Sequence, residues 1–158
     1  MESSLMSVTI VFTETVSSCA HTITIGVAFH LRPSNTLRLF SNIGFEWLEK
    51  LAKRGEKYDI VIVDPPSTSV GKKKKRWSIK NDADELVALA APLVKKGGLL
   101  WTTTNSASIS PIKFARLCRK GLDSVGLQSA RLERIEPMPT DFPCIGPQPV
   151  KNLVWRIP

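Results

Sequence analysis

The run from Tyr58 through Val63 into Asp64-Pro65-Pro66-Ser67 constrains the fold more than any other stretch of the chain. It is too short for a helix and rich in β-branched residues, and apolar side chains at consecutive positions mark a strand buried on both faces of a parallel sheet. Pro65 and Pro66 end it, because neither has an N–H for the ladder and each fixes its own φ. Asp64 is thereby left at the carboxyl end of a central strand, where open α/β sheets take their ligands. A plainer role for Asp64, capping the turn after the strand, fits the same residues.

The pattern on either side extends this strand into an alternating layout. Phe45, Leu48 and Ala52, with Trp47 and Leu51 alongside, form a helical stripe that stops at Gly55. After the strand at 59–63 comes a polar loop, 67–80. Asp82, Asp84 and Glu85 suit the positive end of a helix dipole, and Leu86, Leu89, Ala90 and Leu93 give that helix its apolar face. Pro92 kinks that helix or ends it near Ala91, Gly97-Gly98 make its stop, and 99–104 is the next strand. Ser110-Pro111 is a helix start, cap then first position, with Phe114, Leu117, Cys118 and Val125 on its buried side. Two last runs, 130–135 and 150–157, bracket a proline-rich loop and read as a closing hairpin. From Gly44 the order is helix–strand–helix–strand–helix–strand–strand, an α/β sheet with an antiparallel tail. Residues 1–43 differ: two β-rich runs, 8–12 and 22–29, lie in Ser/Thr-rich sequence ahead of an Arg32-Pro33-Ser34-Asn35 turn. The expected division is a β-rich extension over 1–43 and an α/β domain over 44–158.

The 158 residues are enough for one domain with a real core. The formal net charge is +8, and residues 1–40 carry two basic and two acidic groups, so the whole excess lies beyond them. Such a bias attracts polyanions: RNA, DNA or an anionic membrane. Lys72, Lys73, Lys74, Lys75 and Arg76 with Trp77 place five cations beside an aromatic ring, which suits a phosphate backbone with one stacked base. A solvated basic loop is the plain alternative. Cys19, Cys118 and Cys144 are far apart with no CxxC pair, so no zinc site or disulfide framework is expected, and a reducing compartment, cytoplasm or organelle, is. No run reaches the roughly 18 apolar residues of a membrane helix, and the start has neither a basic n-region nor early arginines.

From Gly44 onward the sequence resembles the carboxyl-terminal half of class I S-adenosylmethionine-dependent methyltransferases, and most resembles the large-subunit ribosomal RNA methyltransferases. The matching elements are Phe45-Glu46-Trp47-Leu48, the stretch from Arg54 to Asp59, Asp64-Pro65-Pro66-Ser67, Gly97-Gly98-Leu99-Leu100 and Asp141-Phe142-Pro143. The resemblance implies a Rossmann-like sheet, incomplete at its amino terminus, with S-adenosyl-L-methionine as methyl donor and RNA as substrate. It places Asp64, Pro65 and Pro66 beside the donor and the target base, and Asn105 in the same crevice as a catalytic residue. Members that methylate cytosine carbon carry a cysteine near the position of Asn105, where carbon attack needs a thiolate. Thr103-Thr104-Asn105-Ser106 has none, and is more similar to members that methylate a ring nitrogen of guanine.

The resemblance stops short of the donor-binding half. The family binds its donor through a Gly-rich turn after the first strand and an acidic residue after the second. Residues 1–43 contain one glycine, Gly26, and Asn42-Ile43 stand where an acidic residue is usual. A truncated or alternatively spliced product, with three parallel strands in place of five and little or no donor affinity, is the expectation. Two other readings stay open: a non-enzymatic basic RNA-binding fragment, and a methyltransferase for DNA or protein on the same fold.

Overall fold

The computed structural model describes residues 7–12, 36–40, 44–70, 76–136 and 149–158. Its elements in chain order are β1 (Ser7–Phe12), β2 (Thr36–Phe40), α1 (Gly44–Lys53), β3 (Tyr58–Asp64), β4 (Thr68–Val70), β5 (Arg76–Ser78), α2 (Ile79–Ala90), β6 (Val94–Thr104), α3 (Pro111–Ser124), β7 (Arg131–Glu136) and β8 (Lys151–Arg156). Six strands form one sheet in the order β2-β1-β3-β6-β8-β7. The first four run parallel, and β8 and β7 close the sheet antiparallel.

The strand expected at 59–63 is β3, third in the sheet, with β1 and β6 as parallel neighbours. Its burial is one-sided. Val61 and Val63 are sealed at 0% and 1% exposure, whereas Ile60 and Ile62 are only half-buried. Among the described residues all three helices pack on the Val61–Val63 face, sharing one core with Leu100, Leu153 and Trp155 of the neighbouring strands. The strand expected to be buried on both faces is thus sealed on one face and partly buried on the other.

Four parallel strands are present where three were expected. The run at 8–12 became β1, inside the sheet, and β2 comes from 36–40, just after the expected turn. The run at 22–29 lies outside the described residues.

Where a polar loop was expected over 67–80, the described residues on either side of 71–75 include two short strands. Thr68–Val70 and Arg76–Ser78 pair as a short antiparallel hairpin, β4–β5, with Thr68 opposite Ser78. The hairpin feeds directly into α2. Asp82, one turn into that helix, reaches back to accept the Ser78 N–H at 2.8 Å, which satisfies a donor at the helix start. Pro92 ends α2 as foreseen, in a 3₁₀ turn over Ala91–Leu93.

Gly97-Gly98, expected as the stop between the helix and a strand over 99–104, lie within β6, which begins at Val94, and the register against β3 slips there between Tyr58↔Val94 and Ile60↔Leu99. Gly97 takes φ +75°, and a Cβ on Gly98 would stand 2.6 Å from the Asp59 carbonyl. The pair is a bulge that only glycines permit. α3 begins as expected, with Pro111 first and the Ser110 hydroxyl accepting the Lys113 N–H at 3.3 Å. Phe114 and Cys118 are buried and Leu117 half-buried, but Val125, past the helix end, is exposed, and so is Ala52 on α1. The closing hairpin forms within a residue of the expected bounds.

Candidate functional site

The chain reverses its direction of sheet growth between β1 and β3: β2 adds on one side and β6 on the other. Such a switch point opens a crevice at the carboxyl ends of its two strands, the usual ligand position in an open α/β sheet. β1 ends at Phe12 and β3 at Asp64, and these two terminal residues are register partners. Asp64 is only partly buried at this edge, so part of the residue is reachable from solvent. Pro65 behind it is buried and Pro66 half-buried. The two rings fix the backbone that leaves the strand.

β6 reaches the same edge. Val63 pairs with Thr102, so the residues after Thr104 emerge beside Asp64. Asn105 is the first of them and is exposed. The turn that follows is tied down residue by residue. The Ser106 N–H donates to Thr104 Oγ1 at 3.2 Å, and the Ser106 and Ser108 hydroxyls meet at 2.8 Å. From β8, Lys151 donates through Nζ to the Ser106 carbonyl at 2.7 Å and the Pro149 carbonyl at 3.2 Å. Lys151 therefore brings a cation to this edge and fixes the turn that presents Asn105. Sequence reasoning missed it. The available signal was a lysine opening the last strand, opposite Thr104 once the pairing of β8 with β6 is known.

The basic cluster divides. Lys72, Lys73, Lys74 and Lys75 lie outside the described residues, and Arg76 opens β5 with its side chain exposed. Trp77 does not offer a stacking face. It is 7% exposed, its ring stands edge-on to Phe45 at 6.1 Å between centroids, and its indole N–H donates to the Asp82 carbonyl. The tryptophan expected to stack on a base is a core residue, corrected by the alternation of β5, which turns Arg76 outward and Trp77 inward.

Cys118 is equally committed to the core. Burial pushes its thiol up to about 12, against the lowering effect of its hydrogen bond to Thr102 Oγ1 at 3.6 Å. A thiol held protonated is no nucleophile. Beneath Pro65, between Val63, Ile79, Thr102 and Phe114, lies a hollow of about 10 Å³, room for one water at most and not for a ligand. No group of three or more metal-ligating side chains occurs among the described residues. No helix among them is long and apolar enough to cross a membrane.

No protein-family model matches the sequence, and no curated protein matches it significantly. Solved structures do match the fold. A methyltransferase structure complexed with SAH, SMU.776, superposes with a TM-score of 0.65 at 23% identity, covering 81% of this chain and 33% of that one. An S-adenosylmethionine-dependent methyltransferase structure from Streptococcus mutans gives 0.63 at 22%, covering 81% and 32%. A third, from Agrobacterium tumefaciens, gives 0.50 at 18%, covering 77% and 39%. At these identities the likeness is one of fold: the chain has the Rossmann-like α/β fold seen in S-adenosylmethionine-dependent methyltransferases. It spans about a third of the length of the first two of these structures.

Proposed function

We propose that the chain is part of an S-adenosylmethionine-dependent methyltransferase acting on RNA, with ribosomal RNA as the substrate its motifs fit best. The observation that carries this reading is the position of Asp64: terminal on β3, opposite Phe12, at the switch point of a methyltransferase-like sheet. The residues on this side suit such a donor, since a partly exposed aspartate and a proline-stiffened backbone form a preorganised acceptor for an amino group.

The donor, when bound, supplies an electrophilic methyl group. The chain's own part is to hold and orient. Asp64 and the carbonyls of the Pro65-Pro66 turn accept hydrogen bonds from the donor or the target base. Asn105, exposed on the turn pinned by Lys151, lines the pocket and offers both a donor and an acceptor to a base edge. With a protonated, buried Cys118 and no cysteine in the Thr103-Thr104-Asn105-Ser106 stretch, the chemistry proposed is direct methylation of a ring nitrogen, without a covalent enzyme adduct.

Weak donor affinity and truncation of the donor-binding half belong to the proposal, because Gly26 is the single glycine of residues 1–43. The test is calorimetric titration with S-adenosylmethionine, followed by tritium transfer from labelled donor to isolated ribosomal RNA, DNA and a basic protein. Donor heat with label in the RNA alone supports the reading. Absence of donor heat at millimolar concentration refutes it, and label in DNA or protein reassigns the substrate.

A further inference from the structure

α2 follows the hairpin after β3, and α3 follows the turn after β6, so both helices start at the sheet edge where Asp64 and Asn105 emerge. They run side by side in the same direction and pack tightly at Gly121, where a Cβ would stand 2.5 Å from the Asp84 carbonyl and 2.9 Å from Val87 Cβ. Beside that contact Lys120 and Asp84 form an ion pair at 2.6 Å, which lifts the lysine's pKa through the hydrogen bond. The pair fixes which residues face each other along the seam.

One turn nearer the site the seam changes character. Lys80 stands four residues before Asp84, and Arg116 four before Lys120, each about 6 Å up its helix. Lys113 shares the edge of α3 with Lys120 and lies about 10 Å above it. Lys80, Lys113 and Arg116 are all exposed, and among the described residues none of the three has an ion-pair partner. Asp82, the acidic side chain nearest Lys80 in sequence, sits on the opposite flank of α2 and is occupied with the Ser78 N–H. Asp84 and Glu85 act on Lys120, lower down. Arg76 is exposed at the entry to α2, and Ile112, 68% exposed, begins the same surface on α3. The lower seam is neutralised, and the upper seam is uniformly positive.

We infer that the upper α2–α3 seam, Lys80, Lys113 and Arg116 with Arg76 at its end, is a docking ridge for the sugar-phosphate backbone of a nucleic acid strand. Lys80 and Arg116 stand level on the two helices, with Lys113 nearly a turn further up, so the charge is spread over several ångströms, a match to an extended polyanion rather than to one small anion. The ridge leads to the edge bearing Asp64 and Asn105, so a strand lying on it is led toward the crevice. Its meaning as substrate binding rests on the methyl-transfer reading; the docking itself rests on charge and geometry alone.

The test uses the full chain and a fluorescein-labelled oligouridylate, followed by anisotropy across a salt series. Substituting Lys80→Gln, Lys113→Gln and Arg116→Gln together should lower the slope of log Kd against log salt by about 2, from roughly 0.7 per phosphate contact. A matched triple at the opposite end of the sheet, Lys53→Gln, Arg54→Gln and Lys96→Gln, removes the same charge and should leave the slope nearly unchanged. Equal effects of the two triples, or no effect of the first, overturn the ridge. Equally overturning is seam-dependent binding to phosphatidylserine vesicles with none to the oligonucleotide. Titration of S-adenosylmethionine into the parent chain is read separately: missing donor heat counts against methyl transfer and leaves the ridge standing.

Discussion

Lys151, at the start of β8, donates its ammonium to the Ser106 carbonyl at 2.7 Å and so ties the last strand to the turn after β6. A charged donor serving two carbonyls at a half-buried position contributes more than an exposed ion pair. Lys151→Met keeps the stem and removes the donor, and should cost about 1 kcal/mol in urea denaturation. An unchanged midpoint would show that the ammonium does not hold the turn.

Asp64→Asn tests the carboxylate at the switch point. The change preserves size and strand geometry but removes a charged acceptor. Donor affinity should fall about tenfold by calorimetry, equivalent to about 1.4 kcal/mol. Thermal stability should move little. Asn105→Ala should spare donor binding and lower methyl transfer, since that residue faces the target rather than the donor in the proposed arrangement. Equal loss of donor heat in both variants would contradict this division.

Trp77 separates the core reading from the stacking one. Trp77→Ala should destabilise the chain by about 3 kcal/mol or more, as expected for a large buried side chain. Trp77→Phe keeps most of the volume and should leave oligonucleotide affinity unchanged, whereas a stacked ring would be worth about 1–3 kcal/mol there. Weakened binding by the folded Phe variant would restore the base-stacking role.

Gly121→Ala places a methyl group against the Asp84 carbonyl and Val87, with backbone on one side and no flexible side chain able to yield. The expected cost is about 1–3 kcal/mol, measured by chemical denaturation. A neutral substitution would mean that the helices part easily at this point.

Cys118 gives the chain an alkaline signature. Its thiol is pushed up to about 12 in the folded protein by burial, against an ordinary value of 9.0. Below pH 9 both folded and unfolded chains keep the proton, and the full stability is present. Between about 9 and about 12 the unfolded chain releases a proton that the folded chain retains, so stability falls as pH rises. The difference in denaturation midpoint between the parent and Cys118→Ala should grow in favour of the variant across that window. A pH-independent difference would show a thiol ionising normally.

What the sequence showed and what it concealed divide along one physical line. β3 with Asp64-Pro65-Pro66, the Ser110-Pro111 helix start and the closing hairpin were legible because local chemistry specifies each: consecutive β-branched residues, a cap, two proline rings. The place of β1 was not, because its pairing with β3 joins residues about fifty apart and no local pattern records it. Trp77 was misread for a related reason. Its basic neighbours dominate the sequence, while the alternation that buries it emerges only once 76–78 is a strand. Lys80, Lys113 and Arg116 are unremarkable in the linear chain, and become a set only through the Asp84–Lys120 register.

The close approach at Gly121 has a mechanical consequence. With the Asp84 carbonyl and Val87 seated against Gly121, the two helices are held in register at that point, so the heights of the cations above are set by the protein and not adjusted to a visitor. A flexible single strand can conform to that fixed template, whereas a stiff duplex must already have the matching pitch.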